Sequence, residues 1–144
     1  MSPHAPILLP ARRARHRRLV IEAAVELGLA RLAIGALSFR RAVAFGAIKL
    51  GTAKRVDPSS LATAIATAVT AAAAHVPFRA VCFPQAIALQ RMARRRGIDA
   101  ILHYGAAQDP ASGLAAHVWV TVAGQGLLGH EQVDRFGELL RSPR

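Results

Sequence analysis

Apolar residues recur at helical spacing in the first half of the chain and alternate with polar ones in parts of the second half. Residues 19–37 are apolar apart from three charged side chains, Glu22, Glu26 and Arg31. Ionised groups at mid-span are costly in lipid, so this pattern predicts a largely buried helix of the protein core rather than a membrane span. The two glutamates are four residues apart and therefore share one face of that helix.

Two more helices are predicted before the centre of the chain. A short helix covers residues 39–50 and ends at Gly51. Asp57 and Pro58 are typical of a helix start, with Asp57 as the N-cap and Pro58 at the first helical position. This helix is predicted to run to His75.

The second half predicts a small antiparallel sheet. Residues 98–106, 115–123 and 126–128 are predicted strands with turn-forming residues between them. Residues 133–140 are predicted to form a helix. Helices that precede strands predict an α+β fold, in which a helix starting near Cys82 packs on the sheet.

Cys82 is the single cysteine of the chain, and it lies where an extended segment meets a helix. Pro84 fits the first helical turn, where its missing N–H costs nothing, and Cys82 then takes the N-cap position. The free N–H groups and the positive end of the helix dipole favour a thiolate there, so Cys82 is a candidate nucleophile. A lone cysteine is also commonly an inert buried residue, and this alternative stays open.

A nucleophilic cysteine needs a general base, and His117 is the best candidate. It lies 35 residues after Cys82, in a β-branched and aromatic stretch that predicts a strand. A cysteine at a helix start, packed against a strand that carries a histidine, is the arrangement of papain-like and transglutaminase-like enzymes. His103 on the preceding strand stays open as a neighbour of the site, and His130 as an accessory group.

Length and composition limit the remaining possibilities. The 144 residues suit one domain, predicted over 17–144 after a flexible basic arm over 1–16. A single cysteine excludes an intramolecular disulfide, so the cytoplasm is the expected location. The chain has neither zinc-ligand spacing nor a glycine-rich phosphate loop, so no metal and no cofactor are expected.

The formal net charge is +11 and is concentrated in arginine-rich runs at residues 12–18, 40–41 and 94–96. Such runs are usually solvated, but they also attract acidic peptides, anionic membranes or nucleic acid. Aromatic residues are few and no nucleic-acid-binding motif occurs, so nucleic acid is not expected as a partner. Peripheral contact with an anionic membrane stays open.

Three segments resemble the leader peptidases of lasso peptide biosynthesis, namely residues 82–89 (CFPQAIAL), 94–98 (RRRGI) and 116–120 (AHVWV). Residues 17–41 also resemble the N-terminal region of the short, single-domain members. These peptidases belong to the transglutaminase-like cysteine protease superfamily and have a transglutaminase/papain-like core. The resemblance implies a cysteine peptidase that cleaves the leader from a lasso precursor during maturation of a ribosomally synthesised peptide, with Cys82 as nucleophile and His117 as base.

The triad of that family also contains an aspartate about a dozen residues after the histidine. This chain has no aspartate there, and Glu131 is the nearest carboxylate. We therefore expect Glu131 to orient His117, with Asp134 or a backbone carbonyl as alternatives. The alternative function is a catalytically silent scaffold or binding subunit of the same maturation complex.

The resemblance also implies three partners. These are the precursor peptide, a separately encoded leader-binding recognition-element protein and an asparagine-synthetase-like lasso cyclase. The N-terminal part of this chain lacks the strand-rich pattern that such a recognition element needs, so leader binding is expected to reside in the separate protein.

Overall fold

The computed structural model describes residues 5–48 and 58–143. Four helices come first: α1 (Ala5–Ala36), α2 (Phe39–Gly46), α3 (Pro58–Ala73) and α4 (Cys82–Arg95). Four strands follow: β1 (Ala100–Asp109), β2 (Gly113–Val122), β3 (Gln125–Leu128) and β4 (Gly137–Ser142), with a 3-10 turn over His130–Arg135 before β4. The predicted α+β fold, with helices preceding an antiparallel sheet and a cysteine on a helix, is confirmed.

The strands are ordered β3-β2-β1-β4, and each neighbouring pair is antiparallel. The helix predicted over 133–140 is wrong, because the chain forms the end of the 3-10 turn and then strand β4. Strand β1 would otherwise end the sheet with unpaired N–H and C=O groups, and pairing with residues 137–142 satisfies them. That pairing overrides the helical propensity of the two leucines in the segment.

Helix α4 lies at the centre of the molecule and contacts α1, α3 and the sheet. Its middle, residues 86–93, is buried throughout. Alternate β2 residues, Val118, Val120 and Val122, belong to the same core cluster as Ile87 and Leu89 of α4. We call the face of the sheet that these valines occupy the inner face, and the opposite one the outer face.

Ion pairs join α1 to α4. Glu26 is buried and pairs with Arg91, at 2.7 Å, and with Arg95. Glu22 pairs with Arg95 and Arg96, each at 2.6 Å. The carboxylates that interrupt the apolar pattern of α1 are therefore satisfied by the basic end of α4, and this arginine run is a packing partner rather than a merely solvated group.

Several predicted helix limits differ from the observed ones. Helix α3 begins at Pro58 as expected, but Asp57 lies outside the described residues, as do the last residues of the predicted helix 39–50. Helix α1 extends back to Ala5, so much of the segment 1–16 is helical, and its flexibility stays a prediction. None of the described helices has both the length and the apolar character needed to cross a bilayer.

Candidate active site

Cys82 is the first residue of α4. Val81 is the N-cap, with an extended backbone, and its carbonyl accepts a hydrogen bond from the Gln85 N–H at 3.3 Å. The predicted N-cap at Cys82 is thus displaced by one residue, but the thiol still lies in the turn where helix N–H groups are free of intrahelical partners. The cysteine is free and half-buried.

A groove of about 470 Å³ runs beside the start of α4. It is lined by Arg31, Ile34, Arg79, Val81, Phe83 and Pro84. Both arginines are exposed, and neither forms an ion pair within residues 5–48 and 58–143. The groove therefore offers apolar walls and two exposed cations, and the residues before and after Cys82, but not Cys82 itself, line it.

His117 lies on β2, opposite Gly105 of β1. Its ring packs against Phe136, with centroids 5.0 Å apart, and its Nε2 lies 2.6 Å from the carbonyl oxygen of Gly129. A carbonyl only accepts hydrogen bonds, so Nε2 carries the proton. In the neutral ring, Nδ1 is then the basic nitrogen.

The structure does not bring Cys82 and His117 together. Successive side chains of a strand point to opposite faces, and Val118 lies on the inner face with α4. His117 and Trp119 therefore lie on the outer face. No hydrogen bond joins the thiol to the imidazole in the described part of the chain, as this placement requires.

A backbone carbonyl takes the place at which the third residue of a catalytic triad is expected. Gly129 follows His117 by 12 residues, the spacing at which an aspartate is expected, and its carbonyl is the acceptor described above. Glu131 and Asp134 lie exposed in the 3-10 turn, and among the described residues neither forms a hydrogen bond or ion pair with His117. The role assigned to Glu131 stays a prediction.

Comparison with protein families matches residues 23–141 to the transglutaminase-like superfamily. The chain belongs to the transglutaminase-like superfamily. Members of this superfamily are commonly cysteine peptidases. No curated protein and no solved structure gives a significant match to the chain.

This transglutaminase-like domain contains a second histidine site that the sequence prediction missed. His103 is buried on β1, pairs through Nδ1 with Glu138 of β4, and lies 2.8 Å through Nε2 from the Thr121 hydroxyl. Its ring stacks on Trp119, with centroids 5.3 Å apart. The pair was missed because Glu138 was assigned to a helix instead of to the strand beside β1.

The charges around Glu138 favour its ionised form. Hydrogen bonds from Arg141, and then from His103, lower the pKa of Glu138 below its ordinary value of 4.5. The pair joins β4 to β1 across their ladder and is on the outer face, since His103 is opposite Trp119. It provides a histidine and carboxylate in contact, but on the side of the sheet away from Cys82.

His130 is exposed at the start of the 3-10 turn. Within the described residues, no group of three or more histidine, cysteine, aspartate or glutamate side chains is placed to hold a metal ion.

Proposed function

We propose that the protein is a cysteine peptidase that cleaves the leader from a lasso-type precursor peptide in the cytoplasm. The observation that carries the proposal is the position of Cys82, accessible at the first turn of α4 in a transglutaminase-like domain and beside an open groove. Val81 and Phe83, the neighbours of Cys82 in the chain, line that groove, so a peptide bound there would lie close to the start of α4. The leader specificity rests on the sequence resemblance.

In this mechanism the Cys82 thiolate attacks the scissile carbonyl, and the carbon–nitrogen bond then breaks as the leaving amine takes a proton. Water then hydrolyses the resulting thioester, which releases the leader as a carboxylate and restores the thiol. The first N–H groups of α4, those of Cys82 and Phe83, have no hydrogen-bond acceptor within residues 5–48 and 58–143 and would stabilise the oxyanion, whereas Pro84 has no N–H. His117 is the proposed proton donor. Its Nδ1 would have to approach the sulfur, so the outer-face position of the imidazole defines an inactive arrangement that substrate or a partner must change.

The partners belong to the same proposal. The peptidase would act on the precursor together with a separate leader-binding protein, and the asparagine-synthetase-like cyclase would use the amine that cleavage releases. The backbone carbonyl of Gly129 is the acceptor that we propose for the histidine, in place of a carboxylate.

The second candidate function is a catalytically silent scaffold or binding subunit of the same complex. The opposite placement of Cys82 and His117 and the glycine at the third position favour it. Such a subunit would retain the groove and the fold without a working nucleophile and base.

Cleavage of the precursor, followed by mass spectrometry in the presence of the leader-binding protein, separates the two functions. Cys82→Ala and His117→Ala are each expected to reduce the rate by several orders of magnitude, because nucleophile and base act as a unit. His75→Ala, which changes an exposed histidine outside the sheet, is the control and should be unaffected.

Alkylation provides a readout that does not need the substrate. Because Cys82 is the single cysteine, the rate at which iodoacetamide modifies the folded protein near pH 7 reports that thiol alone. Faster modification of the folded than of the urea-unfolded protein supports an activated nucleophile. Retained cleavage by a folded Cys82→Ala protein would refute the peptidase, and absent cleavage with slow alkylation would favour the silent subunit.

A further inference from the structure

Helix α1 exposes a row of large aliphatic side chains. Ile21, Val25, Leu29 and Leu32 have exposed fractions of 65%, 59%, 40% and 69%. They are three or four residues apart, so they form one stripe roughly 16 Å long at 1.5 Å per residue. Contiguous exposed apolar surface of this kind marks an interaction site more often than isolated exposed leucines do. We call these four residues the α1 stripe.

The charges of α1 are sorted around this stripe. Its carboxylates are both paired: Glu26 is buried and Glu22 is 24% exposed, and arginines of α4 and its C-cap neutralise them. The exposed charges on the same helix are arginines, with Arg17 and Arg18 before the stripe and Arg31 within its length. Over the described residues 10–36, the fully exposed charges of α1 are thus cationic, and the partly exposed Glu22 is neutralised by its ion pairs.

We propose that the α1 stripe binds the surface of an anionic phospholipid membrane, with α1 lying in the plane of the interface. Aliphatic side chains would enter the boundary between headgroups and acyl chains, and the long arginine side chains would reach the phosphates. A lipid surface provides both chemistries at once and needs no matching shape. This inference does not depend on the peptidase proposal.

The charge distribution favours lipid over a second copy of the chain. A homodimer through the α1 stripe would bring together two chains of net charge +11, with their arginine-rich segments 12–18 near the contact. Anionic lipid instead attracts each basic residue near its surface. The same attraction makes the predicted binding sensitive to salt.

Vesicle sedimentation of the full chain tests the proposal. The probes are vesicles of pure phosphatidylcholine and vesicles with one quarter phosphatidylglycerol, each at low and high salt. Ile21→Gln/Leu32→Gln removes the most exposed part of the stripe. The matched control is Leu114→Gln/Leu139→Gln, because Leu114 and Leu139 lie on the sheet with the same exposed fractions, 65% and 69%.

The parent protein is expected to sediment with the anionic vesicles and to be released by salt. The stripe variant should lose about tenfold or more in partition coefficient, and the control less than about twofold. Circular dichroism verifies that both variants fold. A parent that ignores anionic vesicles, or equal losses in both variants, would overturn the proposal. If the parent instead sediments as a dimer without binding vesicles, and the stripe variant is a monomer, the α1 stripe would be assigned to self-association.

Discussion

At the scale of single residues, Gly129 has a left-handed backbone, with φ 67°, and lies against two groups of β2. A Cβ placed there would be 2.7 Å from the Val118 carbonyl oxygen and 3.0 Å from His117 Nε2. Any side chain larger than that of glycine would therefore push these two groups away. One of the displaced groups would be the His117 ring. The conformation of one glycine thus fixes both the carbonyl acceptor and the ring that it holds.

Gly129→Ala is expected to lower the free energy of unfolding by roughly 2–5 kcal/mol, since a left-handed backbone and a steric overlap both contribute. Gly113→Ala is the control, because Gly113 also has a positive φ, 81°, but no heavy atom within 4 Å of its added Cβ. It should lose only about 1–2 kcal/mol. Urea unfolding measures both values. Equal losses would mean that the close contact at Gly129 does not exist in solution.

The acceptor at Nε2 leads to a second prediction at this scale. If the Gly129 carbonyl orients His117, then Glu131→Gln and Asp134→Asn should each leave precursor cleavage within about twofold of the parent, because neither forms a hydrogen bond or ion pair with the ring in the described part of the chain. The measurement is the initial rate of cleavage, and the affinity for the precursor is expected to stay unchanged. A large loss in Glu131→Gln alone would return the third position to the glutamate that the sequence predicts. A large loss in Asp134→Asn alone would assign it to that aspartate.

At the scale of elements, the ion pairs between α1 and α4 connect the first helix of the chain to the helix that bears Cys82. The hydrogen bond from Arg96 lowers the pKa of Glu22 below its ordinary value of 4.5, although burial opposes the shift. A carboxylate with a lowered pKa in the folded state stabilises the protein above its unfolded-state pKa. That stabilisation is lost as the pH falls through the folded-state value.

We therefore expect Glu22→Gln to reduce the free energy of unfolding by about 1 kcal/mol at pH 7. The effect is modest because the ion pairs of Glu22 are partly exposed to solvent. The variant should also lose less stability than the parent between pH 7 and pH 3, because one of the groups that titrate has been removed. Urea unfolding at the two pH values provides the comparison. Glu131→Gln, an exposed glutamate outside the network, should follow the parent. Parallel pH dependence of Glu22→Gln and the parent would show that the pairs do not stabilise the fold.

Local signals predicted most of the elements. The prolines placed the starts of α3 and α4 to within a residue, and the β-branched run placed β2, because these signals act within a few residues. Strand β4 was missed because its strand state depends on the free edge of β1, more than thirty residues earlier. A segment rich in leucine has no local feature that reports such a partner.

At the scale of the whole molecule, the sequence predicted where Cys82 lies but not which face of the sheet receives His117. Strand alternation shows that His117 shares a face with Trp119, and it leaves open which face α4 covers. One signal was available, since Val118, Val120 and Val122 form the more apolar set and would be expected in the main core.

The path of the 3-10 turn also could not be predicted. Because β3 and β4 lie at opposite edges of the sheet, the turn must cross it, and Phe136 meets His117 on the outer face.

This global arrangement gives the last prediction, which concerns the partner. If leader cleavage needs a separate leader-binding protein, two effects should act together. Tethering the leader raises the effective concentration of the scissile segment at the groove, and binding energy becomes available to bring His117 to the thiol. The first effect lowers the precursor concentration needed for half-maximal rate, whereas the second raises the maximal rate itself.

Steady-state cleavage of the precursor, with and without the partner, distinguishes these effects. We expect the chain alone to cleave a low-micromolar precursor slowly, and the partner to increase both the apparent affinity and the maximal rate. A truncated precursor without its leader is the control and should gain nothing from the partner. An increase in apparent affinity alone would mean that the partner only tethers the substrate and that the histidine reaches Cys82 without it. Full-rate cleavage by the purified chain alone would contradict the requirement for the partner altogether.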